Sequence, residues 1–242
     1  IEAHPQRELS ALLPQRFDLG EPYFGMYLSI HEYAAGKLGA SATATLAAQR
    51  LHGRYYARLG SQDALDALAH HGGARRLPAL ALEIDNLVGA CRRAVARADA
   101  AVAVPTLRAA WEVLDRRGPI SIGVDLGAQV SALDTLDASN AAAAGLVHAL
   151  ALRRIGRPAD ARNALQAAQE QARSGGNRLL EAITLAQSGM LQSHAGQFDE
   201  ARAKVTTALG MAREIGNRRW EGGFESNLGN LDLARSEEHT SE

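Results

Sequence analysis

The sequence is poor in cysteine and in aromatic residues. Cys91 is the one cysteine among 242 residues, so the chain cannot form an internal disulfide and fits a reducing compartment. Aromatic residues make up only 5% of the chain, whereas 46% of it is hydrophobic, mostly Ala and Leu. Because Ala and Leu are strong helix formers, this balance predicts an all-α protein.

Excess charge of one sign and long apolar runs are also missing. The formal net charge is −1, from 26 basic and 27 acidic side chains, and no segment gathers the basic residues into a patch. We therefore expect neither a nucleic-acid partner nor a membrane partner. No apolar run approaches the roughly 18 residues that a membrane span requires, and the first residues do not resemble a secretion signal. These features predict a cytoplasmic protein.

Residue patterns that carry catalysis are absent as well. No phosphate-binding loop of the Gly-x-x-x-x-Gly-Lys-Ser/Thr type occurs, and the nearest string, Gly36-Lys37-Leu38, lacks the hydroxyl that would hold Mg²⁺. His70-His71 offers at most half a metal site, without an acidic or cysteine cluster to complete it. Cys91 precedes two arginines, which would make it reactive, but a lone helical cysteine is more often a packing residue. We predict a non-enzymatic chain with no cofactor and no metal site.

An internal repeat of 40 residues occupies the C-terminal part of the chain. Residues 156–194 and 196–234 align with twelve identities, and periods of about 20–50 residues are typical of solenoids. After each turn, alanines recur at helical spacing, and small side chains let two helices approach closely. The pattern predicts antiparallel helical hairpins. Glycine, which tolerates tight turns, stands at every predicted turn or break: Gly156, Gly175-Gly176, Gly196 and Gly216.

This arrangement resembles the tetratricopeptide repeat, and its period resembles the 40-residue variant of that family. The resemblance rests on a glycine in the first helix of each hairpin (Gly189 and Gly229), a glycine at the turn, and alanines in the second helix. Family members often place Tyr three residues after the first-helix glycine, whereas this sequence has Leu152, Gln192 and Asp232 there. The resemblance implies a tetratricopeptide-type α-solenoid.

The first 140 residues carry no repeat, but their apolar spacing is helical in several places. The start is poorly patterned and contains Pro5, Pro14 and Pro22. Pro105 and the pair Gly118-Pro119 are expected to break or bound the last helix of this half. The predicted helices span 27–38, 42–59, 80–97 and 104–116.

Three segments of this half carry a second resemblance. Residues 24–34 resemble the end of the winged-helix module in bacterial signal-transduction ATPases and transcriptional regulators that end in tetratricopeptide repeats. Arg54-Tyr55-Tyr56 and residues 83–87 resemble the helices that join this module to the repeats. The resemblance implies that a missing upstream domain carries a nucleotide switch, which would be one partner of this region.

The last eight residues resemble the translation of a sequencing adapter, and the repeat register is lost there because Ser236 replaces the expected turn glycine. We therefore interpret the chain as a fragment with a foreign tail. The predicted domains are a remnant of the winged-helix-like module (1–38), a helical connector (39–140), tetratricopeptide-like repeats (141–234) and a non-native tail (235–242).

The predicted function is a protein-interaction scaffold or sensor region. In the groove that the resemblance implies, a peptide-binding face would comprise Gln187, Met190, His194, Asn227 and Asn230. An amide side chain can bind a peptide N–H and C=O together, although these amides can equally form a solvated helix face. The alternative hypothesis is a cryptic small-molecule-binding or enzymatic helical domain over 20–140, with the repeats as a dimerisation arm.

The last helix of the repeat region has no following partner in the sequence. Repeat arrays bury each unit against its neighbour, so a terminal unit without a polar cap exposes apolar surface. We therefore expect an exposed apolar strip that promotes self-association. Its residues are Trp220, Phe224, Leu228 and Leu231.

Overall fold

The computed structural model describes the backbone of residues 2–3, 24–25, 27–69 and 72–241, and the side chains of 27–69 and 72–236. Within these ranges the chain is all-helical apart from one antiparallel pair of two-residue strands, β1 (Glu2–Ala3) and β2 (Phe24–Gly25). The predictions for the proline-rich start and for His70-His71 lie outside the described residues.

The described residues form twelve α-helices, numbered in chain order. The first five, with a 3-10 turn at Arg58–Gly60 after the second, are α1 (Leu28–Gly39), α2 (Ala42–Ala57), α3 (Gln62–Asp66), α4 (Gly73–Leu82) and α5 (Ile84–Val95). The other seven are α6 (Ala100–Arg117), α7 (Ile120–Ser131), α8 (Ala138–Arg154), α9 (Pro158–Ser174), α10 (Arg178–Ser193), α11 (Phe198–Glu214) and α12 (Arg218–Ser241). From α5 onward each helix packs on the next, and one hydrophobic core runs through the stack. None of the described helices is long and apolar enough to cross a membrane.

Helices α8 and α9 form an antiparallel hairpin. Gly145 in α8 lies against Ala168 in α9, whereas Ala138 at the start of α8 lies against Gly175 at the end of α9. The contacts therefore run in opposite directions along the two helices. The predicted turns at Gly156 and Gly196 are confirmed, since both glycines lie between helices and both have φ +76.

The predicted breaks between hairpins are also confirmed, and they share one local geometry. Gly176 has φ +65, a left-handed conformation that suits glycine. The next residue, Asn177, donates its N–H to the carbonyl of Ala172 at 2.9 Å, which closes α9, and its Oδ1 accepts from the N–H of Leu180 at 3.1 Å, which opens α10. The same bonds recur at Gly216-Asn217. The Gly-Asn pair that the two repeat copies share therefore ends one helix and caps the next in both places.

Close packing explains the glycine and alanine positions within a hairpin. Ala161 and Ala201 are fully buried at the start of the second helices. A Cβ added at Gly189 would lie 2.9 Å from the carbonyl oxygen of Ala201 and 3.2 Å from Cγ2 of Val205. Helices α10 and α11 therefore approach too closely for any larger residue than glycine at this point.

Two of the four predictions for the N-terminal half need correction. The predicted helix over 80–97 is two helices, α4 and α5, because the chain turns at Glu83, whose N–H ends α4 by bonding to the carbonyl of Leu80 at 3.1 Å. Pro105 does not bound a helix but lies inside α6, which begins at Ala100. Buried Val102, Val104 and Leu107 hold α6 on both sides of the proline, so tertiary packing outweighs its missing N–H.

The other two predicted helices are confirmed as α1 and α2, and Gly118-Pro119 does separate α6 from α7. Helix α7 itself was not predicted. Its Leu126 and Val130 are fully buried and lie four residues apart, as on one face of a helix. The small and apolar residues that alternate in this segment obscure the helical spacing in the sequence. Helix α1 buries none of its residues, and Leu28 and Tyr33 are 71% and 68% exposed.

The prediction of an exposed apolar strip on α12 is wrong for Phe224 and Leu231. Phe224 is fully buried and Leu231 is only 3% exposed, while Trp220 and Leu228 are partly buried against the core. These side chains face back to the preceding helices rather than outward. Leu233 is exposed instead, and Gly229 faces open space. Helix α12 continues to Ser241, whereas α8 and α10 end in a turn at the equivalent positions of the earlier repeats.

Candidate functional site

Alternate helices of the stack share one side of the molecule. The surface lined by α6, α8, α10 and α12, which we call the groove, contains a smaller and a larger cavity. Helix α3 lies on this side too, because Gln62 and Leu65 contribute to the cavity walls and Leu65 is 4% exposed. The groove is thus lined by every second helix of the stack from α6 onward, together with α3.

The smaller cavity has a volume of about 240 Å³. Its apolar wall includes Trp111, Leu146 and Ile183, from α6, α8 and α10. Two polar atoms in its wall are buried without a hydrogen-bond partner among the described residues, Oε1 of Gln187 and Nε1 of Trp220. Buried polar groups are nearly always paired, so an unpaired acceptor and an unpaired donor on two residues of the same wall are unusual.

Ion pairs fix the rim of the smaller cavity. Arg219, on the first turn of α12, donates from Nη1 to Oδ1 of Asp66 at 2.8 Å, and its Nη2 lies 3.9 Å from Oε1 of Glu112. Its guanidinium carbon also lies 5.4 Å from the centroid of the Trp220 ring. Arg219 therefore joins α12, α3 and α6 and restricts the position of the Trp220 ring.

The larger cavity has a volume of about 790 Å³ and adjoins the smaller one, with which it shares Gln62, Arg108, Ala143 and Leu180. The cavity is lined by Arg54 from the last turn of α2, Arg58 from the 3-10 turn and Arg108 from α6, with Asp99 as the one acidic residue among the described residues of the wall. Arg108 donates to Oε1 of Gln62 at 2.7 Å and to the carbonyl of Gly60 at 3.4 Å. Burial lowers the pKa of the Arg108 guanidinium, although Asp66 and Glu112 oppose this effect.

The structure brings one of the five predicted peptide-binding residues into a cavity wall. Gln187 lines the smaller cavity. Met190 is partly buried and packs against the core, whereas His194 is exposed. Asn227 is half-buried and Asn230 is exposed on α12. None of these four lines either cavity, so their part in binding stays a prediction.

Sequence reasoning missed Arg108, Arg219 and the role of Trp220. The repeat could have indicated the role of Trp220. This residue occupies the position of Leu180 in the preceding copy, and both residues line the smaller cavity. The two arginines had no such signal. Their partners come from helices far away in sequence.

Two segments that carried the second resemblance are bonded to each other. Oε2 of Glu83 accepts from the hydroxyl of Tyr56 at 2.6 Å and from Nδ2 of Asn86 at 2.7 Å. His52 extends this network, with Nε2 3.4 Å from Oδ1 of Asn86 and Nδ1 3.1 Å from Nη2 of Arg93. Burial lowers the pKa of His52, and the nearby Arg93 adds to that effect. The network holds α2 against α5.

Cys91 is a packing residue in the structure. Its side chain is fully buried, and Sγ lies 3.5 Å from the carbonyl oxygen of Ala103, to which the thiol donates. Burial raises the pKa of the thiol to about 11, so the neighbouring arginines do not make it reactive.

Among the described residues, no three His, Cys, Asp or Glu side chains are grouped closely enough to hold a metal ion. No protein-family model matches the chain, and no curated protein matches it at a significant level.

Proposed function

We propose that the chain is a binding scaffold, not an enzyme, and that its groove receives an extended segment of a partner protein. The observation that carries this proposal is the pair of unsatisfied atoms in the smaller cavity, Gln187 Oε1 and Trp220 Nε1. An extended peptide offers one N–H and one C=O per residue. Both atoms are buried in the free protein, so the two side chains would turn toward the groove on binding; a peptide N–H would then donate to Gln187 Oε1, and a peptide C=O would accept from Trp220 Nε1.

The size of the smaller cavity favours a peptide side chain over a free small molecule. Sites for drug-sized ligands usually measure about 300–1,000 Å³, whereas this cavity measures about 240 Å³. Trp111, Leu146 and Ile183 provide an apolar wall, so the inserted side chain would be aliphatic or aromatic. The peptide backbone would then lie along the polar rim.

The repeated turns support a place for this region in the 40-residue class of tetratricopeptide proteins, within a bacterial signal-transduction ATPase or transcriptional regulator. The upstream switch domain would be a second partner. In support of this part, α1 presents Leu28 and Tyr33 to solvent, 71% and 68% exposed. A cytoplasmic location belongs to the proposal as well, because Cys91 is a free, buried thiol.

A second candidate function is supported by the larger cavity. Its volume of about 790 Å³ falls within the usual range for small-molecule sites. The cavity is not a property of residues 20–140 alone, because Ala143, Asn177 and Leu180 complete it. A small-molecule site with the repeats as a dimerisation arm therefore remains the alternative hypothesis.

Peptide selection tests the proposed function. A random peptide library would be selected on the full chain, and the best peptide would be titrated against Gln187→Ala and Trp220→Phe, which keeps the ring and removes the N–H. We expect each change to weaken binding roughly 5–50-fold, the loss of about one to two hydrogen bonds. The matched control is Gln166→Ala, an exposed glutamine on the outer helix α9. Unchanged affinity in both groove variants would contradict the proposal.

The asparagines of α12 are tested with the same peptide. Asn227→Ala combined with Asn230→Ala should keep the melting temperature within about 2–4 °C, as expected for a surface change. Weaker peptide binding by this double variant would extend the site along α12, and unchanged binding would limit the site to the smaller cavity. Turnover of ATP by the purified chain would contradict the non-enzymatic part of the proposal.

A further inference from the structure

We infer that the larger cavity is a binding site for a small anionic molecule carrying carboxylate or phosphate groups. Arg54, Arg58 and Arg108 line it, against the single acidic residue Asp99. Asp99 is itself 4.0 Å from Nη2 of Arg97, so part of its charge is already compensated. The wall therefore carries more positive than negative charge, of which Asp66 and Glu112 near Arg108 offset a part.

Arg108 forms no salt bridge with a described residue. It is partly buried, and both of its hydrogen bonds go to neutral oxygens, the side chain of Gln62 and the carbonyl of Gly60. The carboxylates that could pair with it, Asp66 and Glu112, are bonded to Arg219 and Arg116 instead. A partly buried guanidinium without an ion-pair partner is costly unless an anion completes it.

The opposite wall offers hydrogen-bond donors. Ser139 lines the cavity, and its hydroxyl accepts from Nδ2 of Asn177 at 2.7 Å, so the hydroxyl hydrogen can be donated to a bound anion. Ser139 lies in the first turn of α8 and Asn177 is the N-cap of α10, so both lie where a helix dipole presents its positive end. Arginine side chains on one wall and oriented donors on the other suit a molecule with negative charge on both sides.

The binding of citrate and of pyrophosphate to the full chain tests this inference by calorimetry. Citrate probes a carboxylate source and pyrophosphate a phosphate source, while glucose serves as the uncharged control. Hexaglutamate tests whether the anion must instead come from an acidic peptide. We expect saturable binding of at least one small anion and none of glucose.

Variants locate the binding. Arg54→Gln with Arg58→Gln changes two exposed residues, so the fold should persist, and it should weaken the small anion roughly 10–100-fold through the loss of charge-assisted bonds. The matched control, Arg92→Gln with Arg162→Gln, removes the same charge from exposed positions outside the cavity. Ser139→Ala should also weaken binding, by a smaller factor.

Several results would overturn the inference. These are no binding of either small anion, binding of hexaglutamate alone, or an equal loss in the cavity and control double variants. Arg108 and Gln62 line both cavities. Peptide binding is judged by Gln187→Ala and Trp220→Phe, and anion binding by Arg54→Gln with Arg58→Gln, so the two proposals can fail independently.

Discussion

Arg219 and Asp66 are 153 residues apart in the sequence and form a hydrogen-bonded ion pair with Nη1 and Oδ1 at 2.8 Å. Both side chains are partly buried, at 20% and 23% exposure. The pair connects the last helix of the stack, α12, to the short helix α3 at the edge of the groove. The pair therefore holds α12 and α3 together across the groove, although the two helices are not adjacent in the sequence.

Arg219→Gln should lower the free energy of unfolding by about 1–2 kcal/mol, because it removes charge-assisted bonds from a partly buried carboxylate. Urea denaturation measures this change, and hydrogen exchange should become faster in the first turns of α12. The adjacent Arg218 is exposed and serves as the control in Arg218→Gln. Equal losses in the two variants would show that the contact adds no stability.

Gly189 and Gly229 occupy equivalent repeat positions but have different surroundings. Gly189→Ala should destabilise the fold by about 1–3 kcal/mol, because its Cβ would lie 2.9 Å from the Ala201 carbonyl. Gly229→Ala should stabilise it by about 0.5–1 kcal/mol, because the site is open and alanine favours the helix. Denaturant titrations of both variants give the two values. The same sign of change at both sites would refute the packing described for α10 and α11.

Gln192 stands where the preceding copy has Leu152, which is only 3% exposed. Oε1 of Gln192 is buried without a partner among the described residues. Gln192→Leu should therefore raise the free energy of unfolding by about 1 kcal/mol, through relief of an unpaired polar atom. A thermal melt checks the direction of the change. Destabilisation would mean that the amide is satisfied by water or by a bound molecule.

The Cys91 thiol has a pKa raised by burial from 9.0 to about 11 in the folded state. An unfolded chain would ionise this thiol first, so its contribution to stability is complete below about pH 9 and declines between pH 9 and 11. Cys91→Ala should flatten that decline in urea titrations across this range. In the native protein the thiol should also react with thiol reagents only after unfolding. Rapid modification at neutral pH would contradict its burial.

Local signals account for the parts of the fold that the sequence predicted well. Gly176-Asn177 and Gly216-Asn217 combine a left-handed glycine with an asparagine that caps the next helix, so their meaning does not depend on distant residues. The hydrophobic and alanine spacing of α8 to α11 is similarly local. These features predict helices and turns directly.

Tertiary contacts account for what the sequence missed. The break at Glu83 depends on its position beside Tyr56 from another helix, and α6 tolerates Pro105 because its neighbours are buried. Phe224 and Leu231 were expected at the surface, although α12 packs these residues on preceding helices. The candidate site was predicted only at Gln187, since the partners of Arg108 and Arg219 are far away in sequence.

The central claim is that the groove binds a partner segment, and a methyl footprint tests it most directly. Methyl-labelled full chain would be titrated with the selected peptide while the NMR signals of all Leu, Ile and Val methyl groups are followed. The account predicts shifts at Leu146 and Ile183, which line the smaller cavity, and none at the buried Leu165 of the outer helix α9. Shifts confined to α9 and α11, with Leu146 and Ile183 unchanged, would contradict it.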